Sequence, residues 1–177
     1  MAVVSIARST SPPAPHTDDI AFQSGTITLR GTIVVPQGQG PWPGVVFVHG
    51  AGDETRDASR FLAIYYAQHG IASLIYDKRG VGQSGGDWHA VGFDALAEDV
   101  LAGVEVLRQR AGIDASAVGL RGQSQGGWIA PLAASRSRNV AFVLTAAGPL
   151  VTPAEEGHWD AIFALRTGGY EASAIAE

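Results

Sequence analysis

The first apolar segments of the chain alternate with polar residues in the manner of β-strands. Residues 20–22 and 26–35 show this alternation on either side of Ser24 and Gly25, a pair typical of a turn. We therefore expect an antiparallel hairpin that Pro36 closes. Residues 1–19 contain prolines at positions 12, 13 and 15, and we interpret them as a flexible or extended leader.

Short, continuous apolar runs follow the hairpin. Runs of this kind are typical of strands that are buried on both faces of a parallel sheet. The runs are residues 45–48, 72–76, 117–120 and 141–145. Helical patterns alternate with them, so the predicted fold class is α/β. We expect a doubly wound, mostly parallel sheet with right-handed crossovers and an N-terminal antiparallel hairpin.

Amphipathic helices are predicted between and after these strands. The first is capped by Asp57 and ends at Gly70, a residue type common at helix C-termini. The second spans residues 93–110, and the third follows Ser124 and contains Pro131, which we expect to kink it. The apolar positions of the first helix are Phe61, Leu62, Ile64 and Tyr65.

The C-terminal part of the sequence carries a separate helical signal. Thr152 and Glu155 have the spacing of a capping box, with Pro153 at the first helical position. The pattern predicts a helix that ends near Gly168 and a further helix that begins at Tyr170.

Composition narrows the class of protein. The 177 residues are 46% hydrophobic and 16% charged, which favours one globular domain over a disordered chain. The net charge is −5 and the basic residues are scattered, so we expect no nucleic-acid partner. Cysteine is absent, and the histidines are too widely spaced to suggest a metal site. No apolar run is long enough to span a membrane, and residues 2–7 lack the basic start of a signal peptide, so we predict a cytoplasmic protein with no membrane partner.

The pentapeptide 122–126 has the pattern G-x-S-x-G and stands between a predicted strand and a predicted helix. This is the setting of a nucleophile elbow, in which a sharp turn lifts a serine hydroxyl clear of the sheet. Ser124 is then the predicted nucleophile, and Gly122 and Gly126 allow the close approach of the two sides of the turn. The alternative interpretation is that Ser124 only caps the helix.

Two backbone N–H groups are candidates for an oxyanion hole. Gln125 stands at the helix N-terminus, where unpaired amides favour negative charge. Ala51 lies in the glycine-containing loop after the strand 45–48 and could supply the second donor. His49 precedes the nucleophile on the wrong strand for a base, so we expect it to pack or hydrogen-bond within this loop.

A second glycine motif, Gly80–Gly85, has the pattern G-x-G-x-x-G of dinucleotide sites. Its context argues against that function because residues 86–89 continue as a loop instead of opening a helix. Asp77 and Arg79 are predicted to hold this loop beside the oxyanion turn. Asp94, Glu98 and Asp99 are interpreted as a solvated helix face.

Together, residues 43–50, 76–84 and 122–127 resemble the α/β-hydrolase superfamily and are most similar to bacterial serine hydrolases of the acylaminoacyl-peptidase and esterase-like type. The resemblance implies a hydrolase core over residues 20–148 and the start of a helical cap over 149–177. It implies cleavage of a carboxylic ester, or an amide, through an acyl-enzyme at Ser124. It implies a small-molecule acyl substrate and no cofactor.

Members of this superfamily carry an acid and a histidine after the nucleophile, in the last strands of the sheet. In this sequence His158 is the one histidine after Ser124, and no carboxylate directly follows the run 141–145. The last strands, with the acid and the base, are therefore expected to be missing, and activity of this chain is expected to be impaired. His158 as a substitute base, a non-catalytic binding or remnant protein, and a nucleotide-binding domain remain as alternatives. We also expect self-association through an exposed sheet edge.

Overall fold

The computed structural model describes residues 13–171. One six-stranded sheet runs through them, in the spatial order β1-β2-β4-β3-β5-β6. The pairs β1–β2 and β2–β4 are antiparallel, and the remaining pairs are parallel. This confirms the predicted α/β class, with an antiparallel hairpin leading into a parallel sheet. The strands are β1 (His16–Ser24), β2 (Ile27–Val35), β3 (Trp42–Val48), β4 (Ala72–Tyr76), β5 (Ile113–Gln123) and β6 (Val143–Ala146).

The first strand begins earlier than predicted. Residues 16–19, assigned to the leader, pair with residues 32–35 of β2, and the Thr32 hydroxyl donates a hydrogen bond to Asp19 Oδ1 at 2.6 Å. Strand β1 therefore begins four residues before its predicted start at residue 20, inside the segment that we interpreted as a flexible or extended leader. These four residues are polar and at least partly exposed on an edge strand, so they carry no apolar alternation that could have marked the strand.

Helices cover both faces of the sheet. Helix α1 packs on one face, against Val34, Val45 and Phe47, while α2 and α3 pack on the other. The helices are α1 (Arg60–Gln68), α2 (Phe93–Arg108), α3 (Gly126–Arg136) and α4 (Pro153–Thr167). A 3₁₀ turn at Arg56–Ser59 leads into α1.

Helix α1 turns only part of its predicted apolar set toward the sheet, because Leu62 and Ile64 pack against the core while Phe61 does not. Its buried residues are Ala63 and Ala67, while the side chain of Phe61 is 78% exposed. Two alanines one turn apart let the helix lie close to the sheet, which a stripe of aromatic residues would prevent. The Asp57 carboxylate makes no capping bond and pairs instead with Arg60 Nε at 2.7 Å.

Helix α4 begins at the predicted capping box. The Thr152 hydroxyl accepts from the backbone N–H of Glu155, and the Glu155 carboxylate accepts from that of Thr152. No residue of α4 is buried by the part of the chain that the structure describes, and Trp159 and Phe163 are largely exposed. Tyr170 and Glu171 are not helical, and residues 172–177 of the predicted last helix lie outside the described residues.

Strand β6 forms one edge of the sheet among residues 13–171, and Leu144 on it is 49% exposed. Self-association through this edge stays a prediction. Among the same residues, no helix combines the length and the hydropathy needed to cross a membrane.

Candidate active site

Ser124 occupies a sharp turn between β5 and α3. Its φ angle is +48°, in the left-handed region that side-chain-bearing residues rarely adopt. The Ser124 N–H donates to Ala146 O at 3.0 Å, and the N–H of Gly127 donates to Ser124 O at 2.7 Å, so hydrogen bonds on both sides stabilise the turn. The residue is exposed. The strand–turn–helix geometry is the one that the sequence pattern predicts.

The glycines that flank this turn have no room for a side chain. A Cβ atom on Gly122 would lie 2.1 Å from the carbonyl oxygen of Gly126. A Cβ atom on Gly126 would lie 2.6 Å from the carbonyl oxygen of Val48. The first contact closes the turn on itself, and the second packs the start of α3 against the end of β3.

The loop after β3 lies beside this turn. Val48 and Gly122 are direct neighbours in the parallel pair β3–β5, so the segments that follow them emerge side by side. A Cβ atom built on Gly50 would lie 3.6 Å from Ser124 Cβ. Within residues 13–171, the backbone N–H groups of Ala51 and Gln125 have no hydrogen-bond partner. The structure thus brings the two predicted oxyanion donors to the neighbourhood of Ser124.

His49 links the ends of two strands beneath this loop. Its Nε2 donates to the carbonyl oxygen of Tyr76 at 2.6 Å, and its ring packs edge-on against the Tyr76 ring, with centroids 4.4 Å apart. Burial lowers the pKa of His49 to about 4, so the ring is neutral at physiological pH. The predicted structural role of His49 is confirmed.

Asp77 joins the loop after β4 to the 3₁₀ turn. Its carboxylate accepts from Arg56 Nε at 3.0 Å, from Arg56 Nη2 at 2.8 Å and from the backbone N–H of Arg56 and Gln83. Burial alone would raise the pKa of Asp77, but the hydrogen bonds from Arg56 and Gln83 outweigh it and lower that pKa to about 2.

Arg79, two residues after Asp77, forms a second ion pair in the same loop. It pairs with Asp99, with Nη2 2.7 Å from Oδ1 and Nε 2.9 Å from Oδ2. Asp99 is only 1% exposed, so its predicted place on a solvated face is wrong. Asp94 and Glu98 do lie on the exposed face, where both pair with Arg136.

The sequence pattern did not identify Lys78 as a candidate site residue. It is the one lysine in the chain, it is 2% exposed, and its ammonium group points into the loop after β3. Nζ donates to Gly50 O at 2.8 Å, to Gly52 O at 3.2 Å and to Gln125 Oε1 at 3.2 Å. The indole ring of Trp88 covers it, with Nζ 3.8 Å from the ring centroid. One feature of the sequence could have identified Lys78 as a site residue: it lies between Asp77 and Arg79, in a loop that was predicted to lie beside the oxyanion turn.

Comparison with known proteins shows the family. The family model described as serine aminopeptidase, S33, matches residues 41–169. The chain belongs to this family of α/β hydrolases. Esterase EstD of Thermotoga maritima is 33% identical over 151 residues, which are 80% of this chain and 36% of EstD. Thiohydrolase aneE of Aspergillus aculeatus is 31% identical over 120 residues, which are 67% of this chain and 37% of aneE.

Solved structures show the same fold. The α/β hydrolase GrgF from Penicillium sp. sh18 superposes with a TM-score of 0.70 at 22% identity, covering 86% of this chain and 53% of that one. The chain spans 36–37% of the length of the two curated relatives named above. Membership of the S33 family, together with this fold, identifies it as an α/β-hydrolase chain.

The described part of this S33 hydrolase chain does not connect Ser124 to an acid or a base. Within residues 13–171 the Ser124 hydroxyl makes no hydrogen bond. His158 lies exposed on α4, where its ring contacts Trp159, and the Glu155 carboxylate is engaged in the capping box.

The Gly80–Gly85 motif leads into a loop, and α2 begins only at Phe93, so the helix that a dinucleotide site requires does not follow it.

Proposed function

We propose that this chain carries the nucleophile and the oxyanion hole of a serine hydrolase that cleaves a carboxylic ester. The observation that carries the proposal is the left-handed, exposed Ser124 beside the loop that holds Ala51. A serine that only capped α3 would have extended backbone angles and would bond to an N–H of the first helical turn. The N-cap residue of α3 is instead Gln125, which makes no side-chain capping bond.

The proposed reaction has two steps. The Ser124 Oγ bonds to the ester carbonyl carbon as its proton passes to a base, and the carbonyl oxygen becomes an oxyanion. The N–H groups of Ala51 and Gln125 donate to that oxygen, and the N-terminal end of the α3 dipole adds to its stabilisation. The tetrahedral intermediate expels the alcohol, which takes the proton from the base. Water then attacks the acyl-enzyme by the same route and releases the acid.

The base is the part of this machinery that residues 13–171 do not place at Ser124. Loss of triad members in serine hydrolases lowers kcat by about 10⁴–10⁶, while the oxyanion hole and substrate binding retain about 10³–10⁴ over the reaction in water. The proposal therefore includes impaired turnover by the 177-residue chain on its own, with Ser124 still the site of acylation.

The relatives support an acyl substrate. One is named an esterase and another a thiohydrolase, and both names describe hydrolysis of a carbonyl bonded to a heteroatom. We accordingly place the substrate among small acyl esters, with thioesters and amides as the related classes. No step of the proposed route needs a metal or an organic cofactor.

Covalent labelling tests the proposal. The chain is incubated with an alkyl fluorophosphonate, with and without added imidazole as an external base, and the modified peptide is identified by mass spectrometry. We expect a single adduct on Ser124 whose rate of formation rises with imidazole concentration, and no adduct in Ser124→Ala. Labelling that is fast without imidazole and lost in His158→Ala would assign the base to His158. Absence of a Ser124 adduct under all conditions would favour a non-catalytic binding protein.

A further inference from the structure

We propose that Lys78 is a positioning residue of the oxyanion hole. Its ammonium group holds and polarises the Gly50–Ala51 peptide, whose N–H is one of the two donors. This inference rests on the proposed function, because it assigns a role to Lys78 in that same site.

The argument begins with the geometry of one peptide group. The carbonyl oxygen of Gly50 and the N–H of Ala51 belong to the same peptide plane, and in a trans peptide they point in opposite directions. Lys78 Nζ donates to that carbonyl oxygen at 2.8 Å. An ammonium group that fixes the direction of the carbonyl therefore also fixes the direction of the Ala51 N–H.

The same contact changes the strength of the donor. A hydrogen bond from a charged donor withdraws electron density from the carbonyl, and bonds in a chain polarise one another. The Ala51 N–H thus becomes more positive and binds a developing oxyanion more tightly. The ammonium charge also lies behind the peptide, on the side where it favours negative charge at the N–H end.

Lys78 further connects the two halves of the site. The loop after β3 supplies Ala51, and the turn after β5 supplies Gln125, so the donors belong to separate segments. Lys78 Nζ bonds to Gly50 O and Gly52 O in the first segment and to Gln125 Oε1 in the second. These three acceptors use all three ammonium protons, and the relative position of the two segments is held from one point.

The buried environment of Lys78 disfavours its charged form. Within residues 13–171 its ammonium forms no ion pair, and its direct partners are carbonyl oxygens and a Trp88 ring. Burial lowers the pKa of Lys78, although the negative charges of Glu54 and Asp53 oppose that shift. A buried cation without a paired anion costs free energy, which a neutral side chain at this position would avoid.

Labelling kinetics test this role in the full chain. Lys78→Met preserves the length of the side chain and removes the charge and all three donors. We expect the limiting rate of fluorophosphonate labelling at Ser124 to fall about tenfold to hundredfold, somewhat less than the loss of an entire oxyanion donor. The half-saturating reagent concentration should stay unchanged. Lys78→Arg should retain part of the rate, because guanidinium keeps the charge with a different donor geometry.

Arg108→Met is the matched control. It removes another cation that donates to backbone carbonyl oxygens, those of Ala115 and Asn139, and that does not contact Lys78 Nζ or the loop after β3. Its labelling rate should stay within about twofold of that of the unmodified protein. A folded Lys78→Met variant that labels at the unmodified rate would overturn the inference while leaving Ser124 as the nucleophile.

A second measurement needs no variant and no catalysis. Because Lys78 is the one lysine of the chain, protein labelled with ¹³C at lysine Cε gives a single lysine signal. In protein that also carries ¹³C and ¹⁵N in glycine and alanine, the ¹³C-detected correlation between the Gly50 carbonyl carbon and the Ala51 nitrogen should move with the same midpoint as the Lys78 signal during an alkaline titration. Glu54 and Asp53 are the charged side chains that act on Lys78, and burial keeps His49 neutral throughout. A Gly50–Ala51 signal that does not follow Lys78 would overturn the inference even if Ser124 cannot be labelled.

Discussion

Asp77→Asn is expected to destabilise the protein by about 3–5 kcal/mol, the cost of removing one partner from a buried ion pair. Arg56 is 8% exposed, and it cannot turn to solvent without breaking the bond from Nη1 to Gly31 O at 2.9 Å. An asparagine keeps one acceptor oxygen but places an NH₂ group where Arg56 Nη2 and the Gln83 N–H point. The substitution therefore loses two hydrogen bonds as well as the charge.

Urea unfolding monitored by circular dichroism measures this loss in the free energy of unfolding. The slope of that free energy against urea concentration should be the same in the variant and the unmodified protein, which confirms that their unfolded states are alike. Asp19→Asn is the control. Asp19 Oδ1 lies 3.6 Å from Arg56 Nη1, but its side chain is 81% exposed, so we expect a loss below about 1 kcal/mol. Equal losses in the two variants would refute the conclusion that burial of the Arg56–Asp77 pair dominates this loop.

Three further substitutions and a pH series extend the test. His49 stays neutral in the folded protein down to about pH 4 but becomes protonated in the unfolded chain below its ordinary pKa of 6.5. Stability should therefore fall by about 3 kcal/mol as pH drops through that window, and His49→Gln should remove this component from the urea midpoints. Gly122→Ala should cost about 3 kcal/mol, because its Cβ would meet Gly126 O. Gly157→Ala, with open space around it in α4, should instead stabilise by about 0.5–1 kcal/mol in thermal unfolding, and a loss there would contradict the helix.

Much of the fold could be predicted because buried strands and helices have a recognisable pattern of apolar residues in the sequence. The run at 45–48 is apolar throughout, and Ser73 alone interrupts the apolar run at 72–76, since both faces of β3 and β4 are covered. The start of β1 shows no such pattern, because residues 16–19 pair only on one edge and remain largely exposed. The apolar face of α1 could be predicted only in part, because Phe61 suggests burial by its size, whereas the most buried positions are Ala63 and Ala67.

The candidate site, like the fold, could be predicted only in part from the sequence. The turn at Ser124 could be predicted because the requirement for glycine at position 122 arises within five consecutive residues, where a Cβ atom would meet Gly126 O. The buried pair Arg79–Asp99 joins residues twenty positions apart, so the place of Asp99 near the start of a helix suggested a solvated face and gave no sign of its partner. The contacts of Lys78 join three loops that follow β3, β4 and β5. Only the order of strands in the sheet brings these loops together, and that order is not readable from any one of them.

A crystal structure of the chain modified by a phosphonate on Ser124 tests the central claim most directly. The account predicts that the phosphoryl oxygen lies about 2.7–3.1 Å from both the Ala51 and the Gln125 backbone nitrogens, the range of an oxyanion hole. A phosphoryl oxygen that faces solvent, or one held by other groups, would contradict it.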